Sequence, residues 1–213
     1  MKPNFIIDKA FECVKSICKR YNIDESHAMY HSMTVLNNAK TLYNNLKLEN
    51  SFLEEKHLLI ICVSAIVHDM CDHKYMDVML GVSEIRSYLT SDYISNHDFE
   101  IISDIILHMS YSYVKRMGFF SFTDPAQTMA YNIVREADML ASYDFDRCVI
   151  YGVYMSNYSY SMSVEMAVNL FEMRMMTYLD DNMFTFEFSK SQARILHVKA
   201  EGVLESLKKM KTE

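Results

Sequence analysis

The stretch Leu58 to Val67 is apolar at nearly every position. A helix that is apolar around its whole circumference is a buried one, so this run predicts a central core helix with other elements packed about it. Directly after it stand His68, Asp69, Met70, Cys71, Asp72, His73 and Lys74. Charged groups are rarely buried unless they are paired or bind a metal. A core helix that carries His68 and Asp69 into the interior therefore predicts a metal centre. The dipeptide alone does not, because His97-Asp98 repeats it inside the polar stretch Ser95 to Glu100; only the context separates the two.

Composition narrows what can surround that helix. Four Gly and two Pro in 213 residues are few turn formers, which favours long helices over many short strands. The expected fold is all-α, one domain spanning 1–213 with its core over about 24–195. Half the residues are hydrophobic, enough for a sizeable core. The formal charge is −7 with no Lys/Arg cluster, which argues against stable nucleic-acid binding and leaves room for a nucleotide-sized anion. Five Cys without a Cys-x-x-Cys pair read as reduced thiols of an intracellular, cytoplasmic protein. No apolar run reaches the roughly 18 residues of a membrane span. A start with Lys2 and Pro3, soon followed by Asp8 and Glu12, does not read as a signal peptide.

Along the chain, residues 4 to 20 carry an apolar set at helical spacing, and Asp24-Glu25-Ser26 reads as a helix start. From His31 to Leu48, Val35, Leu36, Ala39, Leu42, Tyr43 and Leu46 form one stripe, with His31 on its inward face and His27 one turn earlier. A polar connection spans 48 to 56. After Lys74 the periodicity is lost through about residue 81, where a loop over a site is expected. Ile101, Ile102, Ile105 and Ile106 mark a helix that carries His108. Residues 110 to 127 read as a long aromatic loop. Met129 to Leu140 is helical, with Asp138 beside its apolar stripe. Residues 143 to 160 are ambiguous, and helices are expected over 163 to 180 and 189 to 210.

Four polar residues thus stand at inward helix positions: His31, His68, Asp69 and Asp138. Mixed imidazole and carboxylate donors suit one divalent ion among Mn, Fe, Ni, Co, Zn and Mg. Four protein ligands leave open positions for water and a phosphate oxygen, the arrangement hydrolysis needs.

The order His, then His-Asp, then Asp resembles the HD-domain metal-dependent phosphohydrolase superfamily, and within it the small YedJ-like branch. The motifs that carry the resemblance are Asp24-Glu25-Ser26-His27-Ala28-Met29-Tyr30-His31, Val67-His68-Asp69-Met70-Cys71-Asp72-His73-Lys74-Tyr75, Ile105-Ile106-Leu107-His108-Met109-Ser110-Tyr111-Ser112 and Val134-Arg135-Glu136-Ala137-Asp138-Met139-Leu140. The resemblance implies a helical bundle with a central metal held by His31, His68, Asp69 and Asp138. It also implies hydrolysis of a phosphate ester or anhydride, with a nucleotide or another small phosphorylated compound as substrate. The chain departs from the branch after Asp138, where Met139-Leu140-Ala141-Ser142 replaces the branch's Arg-Leu-Asp, and no Gly follows until Gly152. The ligand set carries over; the branch's substrate preference does not.

Around the metal, Asp72 is the expected catalytic residue, orienting or deprotonating the attacking water. His27, Lys74 and His108 are the expected substrate contacts, with Asp77 a weaker acidic candidate. His57, His73, His97 and His197 are read as ordinary, mostly surface, histidines. Two rival readings exist. One is a two-iron oxygenase of the same superfamily drawing on His97 and His108; the other is a nucleotide-binding regulatory protein that keeps the pocket without turnover. Metal stoichiometry and turnover separate them. The sequence gives no reading of oligomeric state.

Overall fold

The computed structural model describes residues 2–89 and 94–210. Every regular element among them is helical, in agreement with the all-α expectation. No helix among the described residues is long and apolar enough to cross a membrane. The expected 1–213 domain extends over residues 1, 90–93 and 211–213, which lie outside the described residues. The chain forms two compact units, Met1–Asp138 and Met139–Glu213.

In the first unit, α1 (Lys2–Tyr21) buries Ile6, Ala10, Cys13, Val14 and Ile17, one stripe at helical spacing. The expected helix start at Asp24 is instead a turn. Asp24 Oδ1 accepts from the Ser26 N–H at 2.9 Å and the Asp24 carbonyl from the His27 N–H at 3.0 Å. Aspartate favours such local closure over helix propagation, so α2 begins at Met29 (Met29–Lys47). It buries His31, Val35, Leu36, Ala39, Leu42 and Tyr43.

The core helix is α3 (Glu55–Val67), buried at every position from Ile60 to Val67. Its start is closed by a reciprocal pair: the Glu54 side chain accepts from the His57 backbone, and His57 Nδ1 accepts from the Glu54 N–H at 3.0 Å. This is a capping box with histidine in place of the usual Glu or Gln. It corrects the surface assignment of His57, which is 5% exposed. The helix tightens into a 3-10 turn over His68–Cys71.

The loop expected through residue 81 is shorter, because α4 starts at Val78 (Val78–Leu89). Gly81 conceals that helix in the sequence, and the packing explains the glycine. A Cβ there would lie 2.7 Å from Cys71 Cα and 2.9 Å from the Met70 carbonyl oxygen, so α4 approaches the 3-10 turn to backbone contact. The next helix is α5 (Asn96–His108), capped by Ser95 Oγ accepting from the Asp98 N–H at 3.0 Å. The expected aromatic loop of 110 to 127 holds a further helix, α6 (Tyr111–Met117), capped by Ser110. What remains as loop is 118–124, with Gly118 at φ 81°. Pro125, at a helix start where its missing N–H costs nothing, opens α7 (Pro125–Ala141). Helix α3 packs on α1, α2 and α5, and α4 packs on α1 and the 3-10 turn. The turn that carries His68 and Asp69 is thereby enclosed.

In the second unit, α8 (Phe145–Tyr154) occupies the ambiguous stretch and packs on α9 (Tyr160–Met173). Gly152 lies against Ser163 there. The expected helix to residue 180 stops at Met173 and is followed by a 3-10 turn, Met175–Thr177. Tyr143 Oη donates to the Met175 carbonyl at 3.1 Å, and Tyr178 Oη accepts from Arg174 Nε at 2.9 Å. The last helix is α10 (Glu187–Met210), basic in its final turn as the helix dipole favours.

Candidate metal centre

Three elements bring the four expected donors to one point. His31 projects from the first turn of α2, where it is 2% exposed. His68 and Asp69 sit on the 3-10 turn that ends α3. Asp138 lies on α7, which Asn38 of α2 holds by donating to the neighbouring Ala137 carbonyl at 3.1 Å. His31 Nε2 and His68 Nε2 are 3.1 Å apart. Asp69 Oδ2 lies 3.3 Å from the first nitrogen and 3.4 Å from the second. Asp138 Oδ1 lies 3.2 Å and 3.6 Å from the same two atoms. The donor atoms of His31, His68 and Asp69 all fall within 4.8 Å of one another, so this cluster could hold a metal ion.

The chemistry of the donors fits such an ion. His68 Nδ1 is 3.0 Å from the Ala65 carbonyl oxygen. A carbonyl only accepts, so Nδ1 carries a proton, and a neutral ring would turn the lone pair of Nε2 toward the cluster. A backbone carbonyl that orients a ligating histidine is the usual outer partner of a metal site. That lone pair would then face carboxylate oxygens of Asp69 and Asp138 at 3.4 Å and 3.6 Å, a donor set that a shared cation can stabilise. In the protein alone protons meet the same demand. Burial disfavours the charged form of His68, but Asp69 and Asp138 outweigh it and push its pKa up to about 10. Burial also opposes ionisation of both carboxylates, yet the imidazoles win. His68 holds Asp69, and His31 and His68 hold Asp138, well below the usual carboxylate range.

Next to the cluster lies a second polar group. The buried ring of His27 stands 6.4 Å from that of His31, centre to centre. Its Nε2 is 3.3 Å from Lys74 Nζ, and its Nδ1 is 2.9 Å from Tyr75 Oη and 2.6 Å from Ser26 Oγ. Asp72 is tied to Lys74 twice: Oδ1 accepts from the Lys74 N–H at 2.9 Å, and Oδ2 lies 2.9 Å from the ammonium. Asp72 lies one 3-10 turn past Asp69, its N–H donating to the Asp69 carbonyl at 3.3 Å, and the chain becomes extended there. His27, Asp72 and Lys74 therefore come together, and Tyr75, Asp24 and Ser26 join them. The sequence does not mark Tyr75 and Asp24 as site residues, since 51 residues separate them and nothing in it makes them neighbours.

His108 keeps different company. Its ring stacks on Phe120 at 4.2 Å and 8°, meets Tyr113 edge-on, and donates from Nδ1 to the Asp104 carbonyl at 2.6 Å. Its contacts are aromatic and backbone ones. Asp77 caps α4, its Oδ1 accepting from the Leu80 N–H at 2.9 Å. His73 and His97 are exposed, and His197 is half-buried beside Glu201. One buried ion pair carries no sequence signal. Arg135 on α7, fully buried, donates to Glu136 Oε1 at 3.0 Å and Asn132 Oδ1 at 3.2 Å, and its guanidinium lies 4.6 Å over the Phe119 ring.

No known protein-family model matches this chain, and no curated protein matches it.

Proposed function

We propose that the protein is a metal-dependent phosphohydrolase of the HD-domain kind, acting on a nucleotide or another small phosphorylated compound. The observation that carries this reading is the convergence of His31 Nε2, His68 Nε2, Asp69 Oδ2 and Asp138 Oδ1, with Lys74 and His27 alongside. In this reading His31, His68, Asp69 and Asp138 hold one divalent ion. Such an ion supplies Lewis acidity toward water and a phosphoryl oxygen.

The remaining work falls to the chain's own residues. The Lys74 ammonium, anchored between Asp72 and His27, offsets the negative charge of a bound phosphate. His27 presents its ring on the same side as Lys74. Asp72 anchors Lys74 and is the carboxylate assigned to take the proton of the attacking water. His68, fixed by the Ala65 carbonyl, keeps its donor nitrogen directed at the cluster. The donor nitrogens of His31 and His68 lie buried, where charges act more strongly than they do in bulk water.

Metal analysis of the purified protein, followed by a phosphatase screen over nucleotides and small phosphate esters with each candidate ion, tests the proposal. Turnover of at least one compound, abolished by chelation and restored by one ion, is expected. A protein that retains a stoichiometric ion and hydrolyses none of them would remove the hydrolase reading.

A further inference from the structure

Beside the histidines of the metal cluster runs a chain of hydrogen bonds whose direction is fixed at both ends. Lys74 Nζ lies 2.9 Å from Asp72 Oδ2 and 3.3 Å from His27 Nε2. An ammonium donates and never accepts, so Nε2 of His27 must offer its lone pair. A neutral imidazole with an accepting Nε2 carries its proton on Nδ1. That N–H faces two oxygens, Tyr75 Oη at 2.9 Å and Ser26 Oγ at 2.6 Å. The Tyr75 hydroxyl in turn donates to Asp24 Oδ2 at 3.0 Å, and a carboxylate closes the chain because it only accepts. Burial, with Asp24 adding to it, raises the pKa of Tyr75, so the phenol keeps its proton. The other oxygen of Asp24 is held by the Ser26 N–H at 2.9 Å, which fixes the carboxylate in place.

The polarity therefore runs one way, from Lys74 through His27 and Tyr75 to Asp24. Reversed, it would set an Nε2–H against an ammonium 3.3 Å away, donor against donor, and Lys74 would be driven off. We propose that Asp24 and Tyr75 are positioning residues: they hold His27 in its Nδ1–H tautomer and thereby keep the acceptor that fixes the Lys74 ammonium where it meets an anionic substrate. The last step rests on the phosphohydrolase reading; the tautomer does not.

Asp24→Asn is the decisive variant because it keeps size and turn. Its amide oxygen must stay on the Ser26 N–H, since only an oxygen accepts there, and its NH2 then replaces Oδ2 opposite Tyr75. The phenol, now receiving a hydrogen bond, turns its own proton toward His27 Nδ1. The ring shifts to the Nε2–H form, and Lys74 loses its acceptor. Adding Tyr75→Phe removes the phenol proton, so the double variant returns to Nδ1–H with Ser26 as acceptor. A second substitution that repairs the first is a signature no general loss of packing produces.

The test uses the full chain with 15N-labelled histidine. Long-range 1H–15N spectra report the tautomer of His27, assigned by its disappearance in His27→Gln, and inorganic phosphate binding is measured in the presence of Mg2+. Wild type is expected to show Nδ1–H, Asp24→Asn to show Nε2–H, and the double variant Nδ1–H again. Phosphate affinity is expected to fall about fivefold in Asp24→Asn, the worth of roughly one hydrogen bond, and to return to within about twofold in the double variant. A wild-type ring protonated at Nε2, an unchanged tautomer in Asp24→Asn, or a double variant no better than the single one overturns the proposal. Tautomers that switch with phosphate affinity equal throughout overturn the link to substrate. Tautomers that switch as stated in a protein with neither phosphate affinity nor turnover support the chain and remove the phosphohydrolase reading instead.

Discussion

His31 Nε2 and His68 Nε2 face each other across 3.1 Å, although 37 residues separate them in the chain. Since His68 donates its Nδ1–H to the Ala65 carbonyl, a neutral ring offers the facing nitrogen as an electron donor, and two carboxylate oxygens stand beside it. Purified protein is accordingly expected to carry about one divalent transition metal per chain, and His68→Ala to lose it. Elemental analysis of both proteins checks this. Equal metal content in the two would place the centre elsewhere.

Asp138 supplies the oxygen farthest along the chain. A bound cation would draw on that carboxylate's charge, and Asp138→Asn keeps its shape without it. The variant is expected to bind metal weakly and to lose at least about tenfold in turnover, roughly 1.4 kcal/mol of barrier. A bound ion stabilises the folded state by mass action, so chelation should lower the melting temperature of wild type and barely move that of the variant. Equal shifts in both would take Asp138 out of the site.

The chain contains two His-Asp pairs in different settings. His97 is exposed at the start of α5, and Asp98 is engaged with Ser95 in the cap. His97→Ala with Asp98→Ala should leave metal content and activity nearly unchanged, whereas His68→Ala with Asp69→Ala should abolish both. Comparable losses from the two double variants would point to a role for His97 and revive a two-iron centre.

Gly81 is held to glycine by contact. Alanine there would press its Cβ to 2.7 Å from Cys71 Cα, and backbone cannot yield as a flexible side chain does. Gly81→Ala is expected to destabilise by about 1–3 kcal/mol and to weaken metal binding by displacing the turn of His68 and Asp69. Gly202 is the control, since nothing lies within 4 Å of a Cβ added there. In the interior of α10, Gly202→Ala should stabilise by roughly 0.5–1 kcal/mol. Denaturant melts of the two variants decide it, and equal effects would deny Gly81 its special contact.

His57 should make stability depend on pH. Burial, reinforced by Lys56, lowers its pKa from 6.5, and the Glu54 N–H bonds to its neutral form. The unfolded chain therefore takes up the proton first, so the contribution of His57 is complete above pH 6.5 and is lost as pH falls below it. His57→Gln keeps an acceptor for the Glu54 N–H but does not titrate. Melting temperatures measured from pH 7.5 to pH 5 should fall less steeply in the variant; parallel curves would show that His57 is not responsible.

Much of the fold is legible where burial forces a pattern. Helix α3 is apolar because it is packed on several sides, and the stripe beside His31 follows from one buried face of α2. The errors lie where a local contact overrides the pattern. Asp24 looks like a cap but closes a turn on itself. Gly81 looks like a break in periodicity but is a point of close approach. Ser110, a sound cap with Tyr113 as its donor, is masked by the aromatic residues around it. At the centre, apolar stripes on three helices suffice to nominate His31, His68, Asp69 and Asp138. Spacing alone cannot link Asp24 with Tyr75, or reveal that Arg135 lies wholly buried, since neighbouring Arg and Glu are far more often found in solvent.

The tightening of α3 at His68 makes the chain sensitive to length as well as to composition. One residue inserted between the Glu54 cap and His68 would turn everything beyond it by about 100°, carrying His68 and Asp69 away from His31. An insertion in the polar bend before Glu54 would be absorbed without rotating the helix. Deletion and insertion scanning should therefore find a rigid ruler from residue 54 to residue 71, bordered by a stretch whose length drifts freely.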